Sequence, residues 1–218
     1  MFEDLREDMS KIISTQDAKI AELKDEVVQL NNKITKLEDK LDDNDNYERR
    51  DTLVFSGNSL PQVHESEVCS ELIPKLVKDT LHVNISPADI STAHRLITRK
   101  NTDKRDIIVK FCRRNCKVDI LKACRTVKPP NFFANEHLTP QRQTIAYVLR
   151  KCKRQFPHII SGTTTIEGKN YVWSKPSNPA ARGARDTRMA INTHSRLVDF
   201  CNKSLNTPLS TFISEWNH

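Results

Sequence analysis

Seventeen lysines and arginines face only four acids between residues 94 and 154. The chemistry open to such a stretch is electrostatic. Ammonium and guanidinium groups neutralise phosphates and release their condensed counterions. Arg95, Arg99, Lys104, Arg105, Lys110, Arg113 and Arg114 fall in its first half, and Arg150, Lys151 and Arg154 in its second. Tyr147 shares a helical face with the last three, where it is a candidate for stacking a base, although half-buried packing describes it as well. Arg49 and Arg50 stand at a short hinge further upstream. The wider charge is just as uneven. Residues 1–46 hold 7 Lys/Arg against 13 Asp/Glu, and residues 47–218 hold 28 against 15, so −6 and +13 make up the +7 of the whole chain. A field this one-sided attracts phosphate backbones or an anionic surface.

Other chemistries find little footing. The four glycines, at 57, 162, 168 and 183, form no phosphate-cradling loop. No His-Glu-x-x-His, Gly-x-Ser-x-Gly or paired-carboxylate setting appears, so no enzymatic activity and no cofactor are expected. Cys112, Cys116 and Cys124 lack a His or second Cys pair at zinc-site spacing, so no metal is expected either, and all six cysteines read as reduced small hydrophobes. His94 reads as a strand filler beside the better candidate, Arg95.

The element that would array these cations is the first one. Ile13, Ile20, Val27, Ile34 and Leu41 recur every seven residues, with Met9, Leu23, Leu30 and Leu37 in the complementary register and Gln16 as the polar exception. Neither Gly nor Pro interrupts residues 1–46. A stripe this narrow predicts a parallel coiled coil rather than a helix folded onto its own domain. β-branched residues at the first seam position with Leu at the second favour two strands, while Val27 and Gln16 leave strand number open.

Behind the coil, residues 47–128 read as β-α-β-β-α: strands at Leu53–Gly57, Ile90–Ile97 and Arg105–Phe111, helices at Glu65–Leu81 and Arg113–Arg125, with Pro74 kinking the first helix or marking its start. With a final strand this becomes the ferredoxin-like arrangement. Phe55 and Phe111 are the aromatics it offers to an open sheet face. Residues 129–174 read as a small α+β unit. It has a strand at Asn131–Asn135, a helix capped by Thr139 with Pro140 at its first position, and a hairpin turning at Gly168 with Trp173 in its core. Residues 175–218 read as a Pro-, Ala- and Arg-rich linker and a helical tail. The expected class is thus α+β: a parallel coiled coil (1–46), a ferredoxin-like domain (47–128), a small α+β domain (129–174) and a tail (175–218).

Several stretches resemble one family together. Tyr47 to Gly57 resembles the entry to the RNA-recognition-motif-like domain in first-open-reading-frame proteins of LINE-type non-LTR retrotransposons. Ala93-His94-Arg95, then Asp106 to Phe111, resemble its next two strands. Phe133 to Pro140, with the basic helix and the Gly168 hairpin, resembles its C-terminal domain, which is related to one in baculoviral few-polyhedra proteins. The resemblance covers residues 1–173. It implies a cytoplasmic, self-associating protein that binds RNA and single-stranded DNA and acts as a nucleic-acid chaperone. Arg49, Arg50, Arg95, Lys110, Arg150 and Arg154 then become nucleic-acid contacts. Members of that family are often trimers, against the dimer preference of the seam.

The N-terminus is acidic and amphipathic, unlike a secretory signal, and no apolar run approaches a membrane span, so cytosol or nucleus is the expected compartment. The competing reading is a coiled-coil adaptor whose basic surface meets an acidic protein or a membrane surface.

Overall fold

The computed structural model describes residues 2–64, 66–97, 104–176 and 185–213, with Leu5 and Ile213 described by backbone only. It is mixed helix and sheet with a long N-terminal helix. The chain divides into two compact units, residues 1–44 and 45–218.

Helix α1 spans Phe2–Glu48. Glu7–Lys11 and Lys19–Glu22 ion pairs, one turn apart, tie its polar flanks. The seam is the notable surface. Ile13, Ile20, Leu23, Val27, Leu30, Ile34, Leu37 and Leu41 are each 48–65% exposed and form a continuous apolar stripe along the helix. The helix runs on through Tyr47 and Glu48, which the sequence placed in a hinge.

The second unit contains two sheets. The first is built from β1 (Thr52–Ser56), β2 (Ile90–Arg95), β3 (Ile107–Phe111) and β4 (Phe133–Glu136), all antiparallel, in the order β2-β3-β1-β4. Helices α2 (Cys69–Leu81) and α3 (Arg114–Val127) cover one face. Leu53 and Phe55 from β1, and Ile107, Val109 and Phe111 from β3, point into that cover against Ile73, Val77 and Ile120. Period-2 alternation decides this: Leu53 pairs with Val109 and Phe55 with Ile107, so the apolar members of both strands share one face. Phe55 and Phe111 are therefore core residues, and the expectation that they would face a ligand is corrected. Pro74 sits inside α2, which begins at Cys69 rather than Glu65.

The strand after Pro130 belongs to the first sheet, where Ser56 pairs with Phe133 and Leu53 with Glu136. β4, expected within residues 129–174, thus completes the first sheet. Helix α4 (Pro140–Gln155) starts as its sequence signals require, with Pro140 first and the Thr139 hydroxyl accepting from the Arg142 amide at 3.4 Å. It packs on a sheet of β5 (Ile160–Ile166), β6 (Lys169–Ser174) and β7 (Thr187–Ala190), joined by α5 (His194–Ser204) and the short α6 (Ser210–Ile213). Ile145, Val148, Leu149, Val172, Leu197 and Phe212 are part of one buried core. The expected linker and tail thus supply a strand and two helices to this core. β7 escaped detection because Thr187–Ala190 has no apolar alternation; its backbone ladder to β6 defines it.

Two glycines are required by close approach. At Gly57 (φ +118°) a Cβ would lie 2.1 Å from the Asn131 carbonyl oxygen, and at Gly168 (φ +73°) it would lie 1.9 Å from the Asn46 side-chain nitrogen.

Candidate nucleic-acid interface

The face of the first sheet away from α2 and α3 is open. Opposite parity places Val54, Ile108 and Lys110 there, with Phe133 beside them on the edge strand β4. Phe133 is 53% exposed, whereas its neighbour Phe132 is buried with its ring centroid 5.8 Å from that of Phe55. Phe132 immediately precedes β4 and Phe133 opens it, and the two side chains take opposite sides, one in the core and one outside. Neither was among the candidates above, although the pair itself was the signal.

A groove of about 920 Å³ is lined by all four residues of β4, by Val54 and Ser56 of β1, and by Arg125 and Lys128 of the α3 end. Its other side is Arg150 of α4, Thr163–Thr165 of β5 and Tyr171 of β6. A buried polar network holds its two sides together. The Lys117 ammonium, 3% exposed, donates to the Arg50 carbonyl and lies 3.7 Å from Glu136. Burial pushes the Lys117 pKa down, and Glu136 opposes that shift. The Glu136 carboxylate accepts from the amides of Glu167 and Gly168. Arg142, fully buried, donates to the Gly168 carbonyl at 2.9 Å, and Asn170 donates to the Arg142 carbonyl at 2.9 Å.

The predicted cations divide by what already holds them. Arg95 is the most firmly held of them. It is a structural tie: its guanidinium forms a bidentate pair with Glu67 at 2.7 and 2.8 Å and donates to the carbonyls of Arg105 and Pro61. Arg95 and Glu67 side chains are only 8% and 12% exposed, and Arg95 holds the Glu67 carboxyl below its usual range. Arg49 donates to His137 Nε2 at 2.9 Å, and Arg50 stacks on Tyr47 with 3.7 Å to the ring centroid. Lys104 donates to the Asn58 carbonyl, and Arg105 is half-buried. Arg113 pairs with Asp89 yet stays 74% exposed; Arg114 lies 3.3 Å from Asp51 and 3.7 Å from Glu167. Lys151 donates to the Phe212 carbonyl and sits 5.2 Å over the ring of half-buried Tyr147. Arg99 lies outside the described residues. Lys110, Arg150 and Arg154 are exposed, and none pairs with a carboxylate among the described residues. Of these Arg150 lines the groove, where exposed Lys128, not among the candidates, joins it.

Trp173, expected in the hairpin core, is half-buried on the opposite face, because Val172 takes the core side of β6. Among the described residues no group of three or more His, Cys, Asp or Glu side chains is placed to hold a metal. No helix among them is long and apolar enough to cross a membrane. No protein-family model matches this chain, and a search of curated proteins finds no match either.

Proposed function

We propose that this chain is a non-enzymatic, self-associating protein that binds RNA and single-stranded DNA and acts as a nucleic-acid chaperone. We read it as related to the first-open-reading-frame proteins of LINE-type retrotransposons and as working in the cytoplasm. The observation that carries the reading is the groove along β4, where Lys128, Arg150 and exposed Phe133 meet beside a sheet face bearing Lys110. Phosphates are met by the cations and bases by the ring, with no base-edge code required. The strand order β2-β3-β1-β4 with two helices on one face supports a ferredoxin-like, recognition-motif-like assignment for the first sheet. It uses charge more than stacking, since one aromatic stands where recognition-motif proteins array several.

The exposed seam of α1 completes the mechanism. Two or three chains joined through it multiply weak sites by effective concentration. Contacts that are individually weak exchange readily, which lets paired strands rearrange.

The test is binding of a fluorescent single strand of about 30 nucleotides, long enough for several small sites, at a series of salt concentrations. The full chain is compared with a Leu23→Asn/Leu30→Asn seam variant. The expected result is a steep negative salt slope, with the log of affinity falling by about 0.7 per phosphate contact per decade of salt, and at least tenfold weaker binding by the variant. Weak binding indifferent to the seam would sink the reading in favour of a coiled-coil adaptor for an acidic protein.

A further inference from the structure

The outer face of the second sheet carries a cluster that none of the groove cations explains. Tyr171 and Trp173 stand two apart on β6, so both leave the sheet opposite buried Val172. Their ring centroids are 6.5 Å apart at 48°. Arg188 faces Trp173 across the β6–β7 ladder. Its guanidinium carbon lies 3.8 Å from the Tyr171 ring centroid and 5.8 Å from that of Trp173. No carboxylate pairs with Arg188 among the described residues. On the other flank Gly162 faces Trp173, and a Cβ there would meet the indole at 3.6 Å.

Covering a strand glycine accounts for Trp173 alone. It does not account for a second aromatic on the same face or for an exposed arginine held over it. Held against Tyr171, the guanidinium is ordered yet keeps its full charge, because an aromatic face attracts a cation without neutralising it. Ordered charge beside a half-buried indole edge suits a ligand that alternates flat rings with anions.

We propose that this face is a base-stacking platform for single-stranded nucleic acid: Trp173 stacks one unpaired base, and Arg188, pinned on Tyr171, meets the adjoining phosphate. The proposal rests on the nucleic-acid reading above and extends it. Tyr171 lines the groove along β4 as well, so a strand leaving that groove runs onto the platform. Stacking on indole tolerates any base, so the platform adds affinity without sequence preference.

The chain's two tryptophans are Trp173 and Trp216. In a Trp216→Phe background, indole fluorescence reports the platform alone, while the anisotropy of a labelled strand reports binding independently. Titration with oligouridylate is expected to quench the indole saturably, in step with anisotropy. A blunt RNA duplex, whose bases are already stacked, should bind by charge and leave the indole unchanged. Trp173→Ala should lose about tenfold in single-strand affinity, with Trp173→Phe restoring most of it, and Arg188→Gln should flatten the salt dependence. Binding without quenching overturns the platform and leaves the nucleic-acid reading standing. Equal quenching by duplex overturns stacking, and no binding by either probe overturns both proposals.

Discussion

The two sheets of the second unit solve the same problem differently. Each buries one face under helices and leaves the other open. On the first, the open face carries Val54, Ile108, Lys110 and a single exposed ring, Phe133. On the second, Tyr171 and Trp173 stand together under an arginine. The first sheet spends its best-placed arginine, Arg95, on holding its own loops. The second leaves Arg188 without a carboxylate among the described residues. A count of basic residues therefore says little about binding until the acids and carbonyls already holding each one are known.

That contrast breaks most readily at Arg95. Arg95→Ala leaves the Glu67 carboxylate nearly closed to water without its partner, and losing half of such a pair costs about 3–5 kcal/mol. Urea unfolding of the full chain measures it. A loss under about 1 kcal/mol, coupled with weakened strand binding, would return Arg95 to the contact surface.

The join between the sheets comes next. Gly168→Ala places a Cβ against the Asn46 amide in a left-handed conformation, which should cost about 2 kcal/mol and lower Tm by about 5 °C. Calorimetry reads this directly. An unchanged Tm would mean that the Asn46 contact is not a fixed part of the join.

Phe133→Ala sharpens the difference in stacking. Its ring stands outside the core, so stability should stay within about 0.5 kcal/mol while single-strand affinity falls about tenfold. Equal affinity of variant and parent would leave the first sheet with charge alone.

The smallest effect is in pH. The Glu67 carboxyl is held low by Arg95, and burial followed by Arg49 pushes His137 down. Both groups bind fewer protons folded than unfolded, so stability rises with pH wherever they titrate. The His137 contribution is complete above its ordinary 6.5 and is lost as pH falls below it; that of Glu67 is complete above 4.5 and is lost below that. Thermal unfolding across this range should show Tm falling in two stages. Arg49→Ala should soften the upper stage, since it removes a neighbouring charge from His137.

Local signals carried far along this chain. The seam of α1 and the Thr139-Pro140 start of α4 depend on neighbours within a turn or two, and so does the Gly168 turn. All appear where the sequence put them. Missed elements had no local signature. β7 is a short polar strand that exists because β6 is there to pair with it. β4 was seen as a strand but assigned to the wrong sheet, since its partner β1 lies far back in the chain.

By itself, the sequence determined the charge division, the apolar stripe of residues 9–41, the alternation of helices and strands, and the class of partner worth testing. These are sums or periodicities, and they do not depend on where distant segments meet. Only the tertiary structure decided which face each strand residue occupies and which cations are free to act. Arg95 is taken by Glu67, 28 residues away, and Phe55 is turned inward by the register with β3. Trp173 is turned outward and given its arginine by β7. A side chain's availability is set by long-range pairing, and its identity alone does not contain that information.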